Sequence, residues 1–148
     1  MEDKNWYNFK FADGAITAEE IALSIKPQGT DKAAGAYAIF LGQVRQDTIE
    51  GKNVHAITYS SNEEMAKQAF LQIANDARAK FEVRSLSIIH SKEEVKGGEL
   101  CLMVLVTCGH RKESFMACEY IVERLKKEVP IWGKEILEDE THLWKINK

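Results

Sequence analysis

The 148-residue chain is poor in several things that would each have pointed to a function class. It has only three cysteines, Cys101, Cys108 and Cys118, an odd number with no CxxC pair, so neither a disulfide framework nor a thiol-ligated metal site is indicated. They read as reduced, small buried hydrophobes, with a catalytic thiol as the sharper alternative that no local signature supports. Four scattered histidines (His55, His90, His110, His142) lack the HExxH or other spacing of a zinc site. No apolar run approaches the roughly 18 residues of a membrane helix, and the N-terminus, charged and aromatic, has no apolar leader core. Cytoplasmic residence, away from membranes, is the expectation. A net charge of -3 argues against a general nucleic-acid binder, although a local basic pocket stays compatible with it.

What the chain does have is an ordinary globular balance, 45% hydrophobic and 29% charged. A chain of this size suits one domain, residues 1–148, and folding buries roughly 70% of the surface exposed when unfolded. Trp6 to Phe11 alternates aromatic and polar residues as a strand does, followed by a turn at Ala12-Asp13-Gly14. Thr17 and Glu20 have capping-box spacing, and Ile21, Ala22 and Ile25 give a short helix its apolar stripe, which Pro27 ends. Gly35 to Val44 reads as a strand, Gln46 to Asn53 as a mobile polar connection, and Val54 to Tyr59 as another strand. Glu63 to Phe81 carries the clearest 3.6-residue periodicity, and Glu113 to Val129 repeats it up to the stop at Pro130. Val83 to His90, Leu100 to Cys108, Ile131 to Leu137 and Leu143 to Ile146 complete the strands, the last two joined by an acidic turn at Glu138 to Glu140. Strands outnumber helices without regular alternation. The expected fold is α+β, a mostly antiparallel sheet with two main helices packed on it and a short N-terminal helix. The β-branched run from Leu100 suits either the core or a subunit seam.

The cations are grouped at structural junctions. Arg45 ends an apolar strand, and His110 and Arg111 stand where a buried strand gives way to a helix, a place with free backbone N–H groups and a positive dipole end. Lys126 and Lys127 lie near the end of that helix, about 100° apart, so only one can face a pocket squarely. Lys126 adjoins the apolar-face residue Leu125, which makes Lys127 the solvated one. Lys134 follows the Pro130 turn. Together these residues suggest a phosphate or carboxylate pocket, against the bland alternative of separate surface charges. A lysine there serves as an electrostatic clamp, a base or a nucleophile, and the residues alone leave the three open.

Four segments in consistent order carry a more specific signal: GAYAIFLGQVR (Gly35 to Arg45), ITYSSNEEMAKQAF (Ile57 to Phe70), KGGELCLMVLVTCGHRKESFMACEY (Lys96 to Tyr120) and LKKEVPIWGKE (Leu125 to Glu135). They resemble the marks of the large, catalytic subunit of molybdopterin synthase, the MoaE family, over roughly residues 35 to 137. The resemblance implies a hammerhead-like α+β fold and a central homodimer within a heterotetramer. It implies one small ubiquitin-like sulfur-carrier subunit per large subunit, whose Gly-Gly tail, as a thiocarboxylate, donates sulfur to cyclic pyranopterin monophosphate to build the molybdopterin dithiolene. It implies no metal and no dissociable cofactor. By position, Arg45, His110 and Arg111 match substrate and phosphate contacts, often supplied near the dimer interface, and Lys126 matches the catalytic lysine. Two departures stand out. The family's second active-site lysine falls at Gly133, with Lys134 one residue later. Strand neighbours point to opposite faces, so Lys134 serves as a second catalytic lysine only if Gly133 opens a bulge. And where the family reads HRxG after a middle strand, this chain has His90-Ser91-Lys92-Glu93, so His90 is taken as structural. The glycine at 133 also motivates an alternative, a homologue that binds the carrier without catalysing transfer. A phosphate-ligand protein of unrelated function is a third reading of the same cations.

Overall fold

A computed structural model describes residues 6–139 and 141–145. The elements run β1 (Tyr7–Asp13), α1 (Ala18–Ile25), a 3-10 turn (Lys26–Thr30), β2 (Ala36–Gln43), β3 (Thr48–Ile49), β4 (Lys52–Ser61), α2 (Glu63–Lys80), β5 (Val83–Lys96), β6 (Leu100–Cys108), α3 (Arg111–Glu128), β7 (Ile131–Leu137) and β8 (His142–Trp144). Ile146 and Glu140, assigned above to the last strand and the acidic turn, lie outside the described residues.

Local chemistry starts and stops the helices. Thr17 Oγ1 accepts from the Glu20 N–H while Glu20 reaches back to the Thr17 N–H, closing the capping box. Asn62 Oδ1 accepts from the Met65 N–H at 3.1 Å and starts α2. The extended conformation of Val129, before Pro130, ends α3.

The strands join one sheet in the order β2-β6-β5-β4-β7-β8, with β3 paired to β4 and β1 to β5. The β1–β5 pair is parallel and the other strand pairings are antiparallel, giving the expected α+β, mostly antiparallel architecture. β5 is longer than expected. It first pairs with β6 and β1, then runs on through Lys92 and pairs with β4 over Glu93–Lys96, joining the two parts of the sheet. α2 and α3 cover one face, where Phe70, Ile73, Ile121 and Leu125 pack against Leu86, Ile88, Val104 and Val106. Phe9 stacks on Phe70 with ring centroids 4.0 Å apart. β6 lies between β2 and β5 and is buried from Leu102 to Cys108, so its β-branched run belongs to the core.

Two local expectations change. Residues 46–53 are not simply an open connection: Glu50 (φ 53°) and Gly51 (φ 78°) turn the chain so that Thr48–Ile49 pairs with Lys52 and Asn53. In α1 no residue is fully buried. Ile21 packs on a small cluster with Ile16, Met103 and Leu105, but Leu23 and Ile25 are exposed, because this helix touches the sheet along one narrow line.

Candidate active-site cleft

α3 lies along β6 and β2, and that direction decides where its charges fall. Its start is tied to the far end of β6, where the Gly35 N–H donates to the Cys108 carbonyl at 2.9 Å and a Cβ on Gly35 would come within 2.2 Å of the Gly109 oxygen. Its last turn comes back to the other end of the sheet, beside Cys101 and Leu102 at the start of β6. Here Lys126 lines a cleft with Tyr59 of β4, His90 of β5, Gly133 of β7 and Lys145 just past β8. Leu102, Leu125, Val129 and Ile131 form its apolar walls.

The floor of the cleft is neutral and hydrogen-bonded. His90 is buried, and its Nδ1 lies 2.8 Å from the Ser91 carbonyl oxygen. A carbonyl can only accept, so Nδ1 carries the proton and Nε2 is left as an acceptor. Burial, with a further contribution from the charge of Lys126, pushes His90 down to about 4, opposed by the Ser91 hydrogen bond. The imidazole is thus neutral at physiological pH. The Tyr59 ring stands edge-on to it, with centroids 5.2 Å apart. Burial raises the Tyr59 phenol well above its usual range, helped by the neighbouring Cys101 thiol, to which it hydrogen-bonds, and by the charge of Glu135. Cys101 in turn donates to the Gly42 carbonyl at 3.4 Å. Against this neutral floor stand the ammonium groups of Lys126 and Lys145, and behind Lys145 lies the buried carboxylate of Glu135, whose Oε1 is 3.5 Å from Lys145 Nζ. In a site with apolar walls, such cations bind an oxyanion or stabilise negative charge as it develops.

The residues expected from the sequence are only partly gathered here. Lys126 lines the cleft, and Lys127 does not. Lys134 does not either: β7 pairs with β4 without irregularity from Ile131 to Ile136, so no bulge forms at Gly133 and the side chains alternate. Gly133 and Glu135 face the cleft side, whereas Lys134 Nζ sits over the Trp144 ring, 5.7 Å from its centroid. The regular pleat therefore turns Lys134 away from Lys126 within one chain, against the inward bulge that its catalytic assignment calls for. Arg45 follows β2 at the Lys126 end of the sheet, exposed and paired with Asp47 at 2.6 Å. His110 and Arg111 open α3 at the opposite end, both exposed, and His110 caps nothing with its side chain. Fifteen residues of helix separate Arg111 from Lys126, an axial distance of about 22 Å at 1.5 Å per residue. One chain does not bring these cations into one pocket.

Sequence reasoning missed Tyr59, His90, Cys101 and Lys145 as cleft residues. His90 and Cys101 look like core residues because they sit on apolar strands, and nothing in the spacing ties position 145 to position 126. Cys108 and Cys118 do behave as buried hydrophobes, their thiols pushed up to about 11 by burial. Among the described residues no group of three or more His, Cys, Asp or Glu is placed to hold a metal ion, and no helix is long and apolar enough to cross a membrane.

Comparison with known proteins gives a consistent result. Residues 12–128 match the family model described as MoaE protein. The molybdopterin synthase catalytic subunit of Nostoc sp. is 36% identical, over 88% of this chain and 79% of its own length. Among solved structures, molybdopterin synthase from Staphylococcus aureus is 29% identical with a TM-score of 0.80, over 93% of this chain and 96% of that one. The complex of subunits 1 and 2 of molybdopterin-converting factor from Helicobacter pylori contains the same fold, with a TM-score of 0.79 at 21% identity, over 95% of this chain and 91% of that one.

Proposed function

The chain belongs to the MoaE protein family, and from that premise we propose that it is the catalytic subunit of a molybdopterin synthase. It transfers sulfur from the C-terminal thiocarboxylate of a small ubiquitin-like subunit to cyclic pyranopterin monophosphate, in the cytoplasm. The observation that carries this reading is the cleft at the end of α3, where Lys126 stands beside neutral Tyr59 and His90 between apolar walls. A carrier tail ending in two glycines has no side chains to exclude from so narrow a cleft, and its thiocarboxylate is an anion suited to an ammonium partner. The thiocarboxylate sulfur bonds to a pterin carbon as an oxygen group leaves that carbon. Water then adds to the acyl carbon of the resulting thioester, the carrier's C–S bond breaks, the sulfur stays on the pterin as a thiolate and the carrier ends as a carboxylate. Lys126 stabilises the negative charge that develops on the way.

The active unit is a homodimer flanked by two carriers. In support, β2 is an edge strand that leaves Tyr37, Ile39 and Leu41 exposed on one face, a row of apolar side chains that an isolated subunit would leave in water. A two-fold axis at this edge sets β2 antiparallel to its copy, so the Arg45 end of one chain meets the Gly35 and His110 end of the other. The phosphate contacts His110 and Arg111 then come from the second copy, which accounts for their distance from Lys126 within one chain.

The test is turnover in a reconstituted system with the thiocarboxylated carrier and the cyclic pterin. Wild type is expected to convert the pterin, and Lys126→Ala to lose about 100-fold or more, the typical cost of one electrostatic donor. Carrier binding without conversion by wild type points instead to a docking homologue. Full conversion by Lys126→Ala removes the role given to that lysine.

A further inference from the structure

Lys145 lies beyond the stretch that matches the family model, and the fold brings it into the cleft from just past β8. Its backbone N–H donates to the Gly133 carbonyl at 2.8 Å, which fixes its Cα beside the one position of β7 that has no side chain. A Cβ built on Gly133 would lie 3.7 Å from Lys145 Cβ, 3.4 Å from Tyr59 Cε1 and 3.1 Å from Ile57 Cγ2. The stem of Lys145 thus packs where a side chain at 133 would begin, and a longer residue there would contest the same space. Glu135, two residues on and facing the same way, is 6% exposed and holds the ammonium only at 3.5 Å. An ammonium has three donors, and one long contact to Glu135 leaves capacity for an incoming acceptor.

We propose that Lys145 is the second cation of this cleft, held by Glu135 when no reactant is bound and pairing with a reactant's anionic group alongside Lys126. The inference rests on the sulfur-transfer reading above. The anionic group is a phosphate oxygen of the pterin or the carrier's terminal thiocarboxylate, and kinetics separate the two. Glu135 serves as a positioning residue: its buried carboxylate keeps the ammonium directed into the cleft, and its charge is partly balanced when the anion leaves.

The experiment uses the full chain with the thiocarboxylated carrier and the cyclic pterin, comparing wild type with Lys145→Met, Lys145→Arg and, as a surface control, Lys127→Met. Methionine keeps the stem that packs on Gly133 and removes only the charge, and thermal melts check that the fold is retained. Lys145→Met is expected to lose about 100-fold in kcat/KM, with Lys145→Arg recovering at least a tenth of the wild-type value and Lys127→Met close to wild type. A raised KM for the pterin assigns the phosphate; a raised KM for the carrier assigns the thiocarboxylate. Active wild type with Lys145→Met within threefold of it overturns the inference, as does a loss matched by lowered melting and unrelieved by arginine. Inactive wild type instead removes the functional reading and the inference with it.

Discussion

If the catalytic site is shared between two copies of the chain, two inactive variants should repair each other. Lys126→Ala removes the ammonium at the end of α3, and Arg111→Ala removes the guanidinium at its start, about 22 Å away along the helix axis. In a two-fold dimer with exchanged ends, each site takes Lys126 from one chain and Arg111 from the other. A mixed dimer therefore contains one site with both residues intact and one site with both lost. Random reassociation of equal amounts makes half of all dimers mixed, so the mixture should regain about a quarter of the wild-type rate. Isolating the mixed dimers with two different affinity tags should raise this to about half, by the same counting. The assay is sulfur transfer to the cyclic pterin, with each variant alone as baseline. If tagged mixed dimers form and their rate stays at that baseline, the two residues do not meet across the interface and the shared-site geometry is wrong.

Two further expectations concern stability. His90 is neutral when folded, with a folded pKa of about 4, below the usual 6.5 of an exposed histidine. The unfolded chain therefore binds a proton that the folded chain does not between those values. Stability should be complete above about pH 6.5 and fall by roughly 3 kcal/mol as pH drops through about 4, and urea midpoints of His90→Gln should show a shallower slope there than wild type; parallel slopes would contradict it. At the other end of the sheet, Gly35→Ala should lower stability by about 1–3 kcal/mol, because its Cβ meets backbone at Gly109, whereas Gly29→Ala, with open space around it, should be neutral or stabilising by up to about 1 kcal/mol. Equal melting temperatures for the two glycine variants would show that the Gly35 contact yields at little cost.

The helices were legible because their signals are local. Thr17 and Glu20 close a capping box, Pro130 stops α3, and the stripe from Ala66 to Ala77 repeats every turn against the sheet. Single-residue faces were less secure: Met65 and Phe115 fit the stripes by spacing but are 56% and 66% exposed, since the edge of a stripe depends on what lies opposite. β5 was cut short at His90 because the polar run Ser91 to Glu94 has no apolar alternation. The strand continues there because β4 supplies a partner.

The candidate site divides in the same way. The sequence by itself determined the family, the α+β class, the choice of Lys126 over Lys127, and the absence of a side chain at 133, since each follows from residue identity or from the helical angle between neighbours. It also contained the rule that turns Lys134 away from Gly133's face, the alternation of a regular strand. Only the tertiary structure decided that no bulge breaks this alternation, that His110 and Arg111 stand a helix length from Lys126, and that Lys145 reaches the space beside Gly133. These depend on pairings between residues far apart in the chain, and the register of a strand against its neighbour is fixed by the packing of the whole sheet.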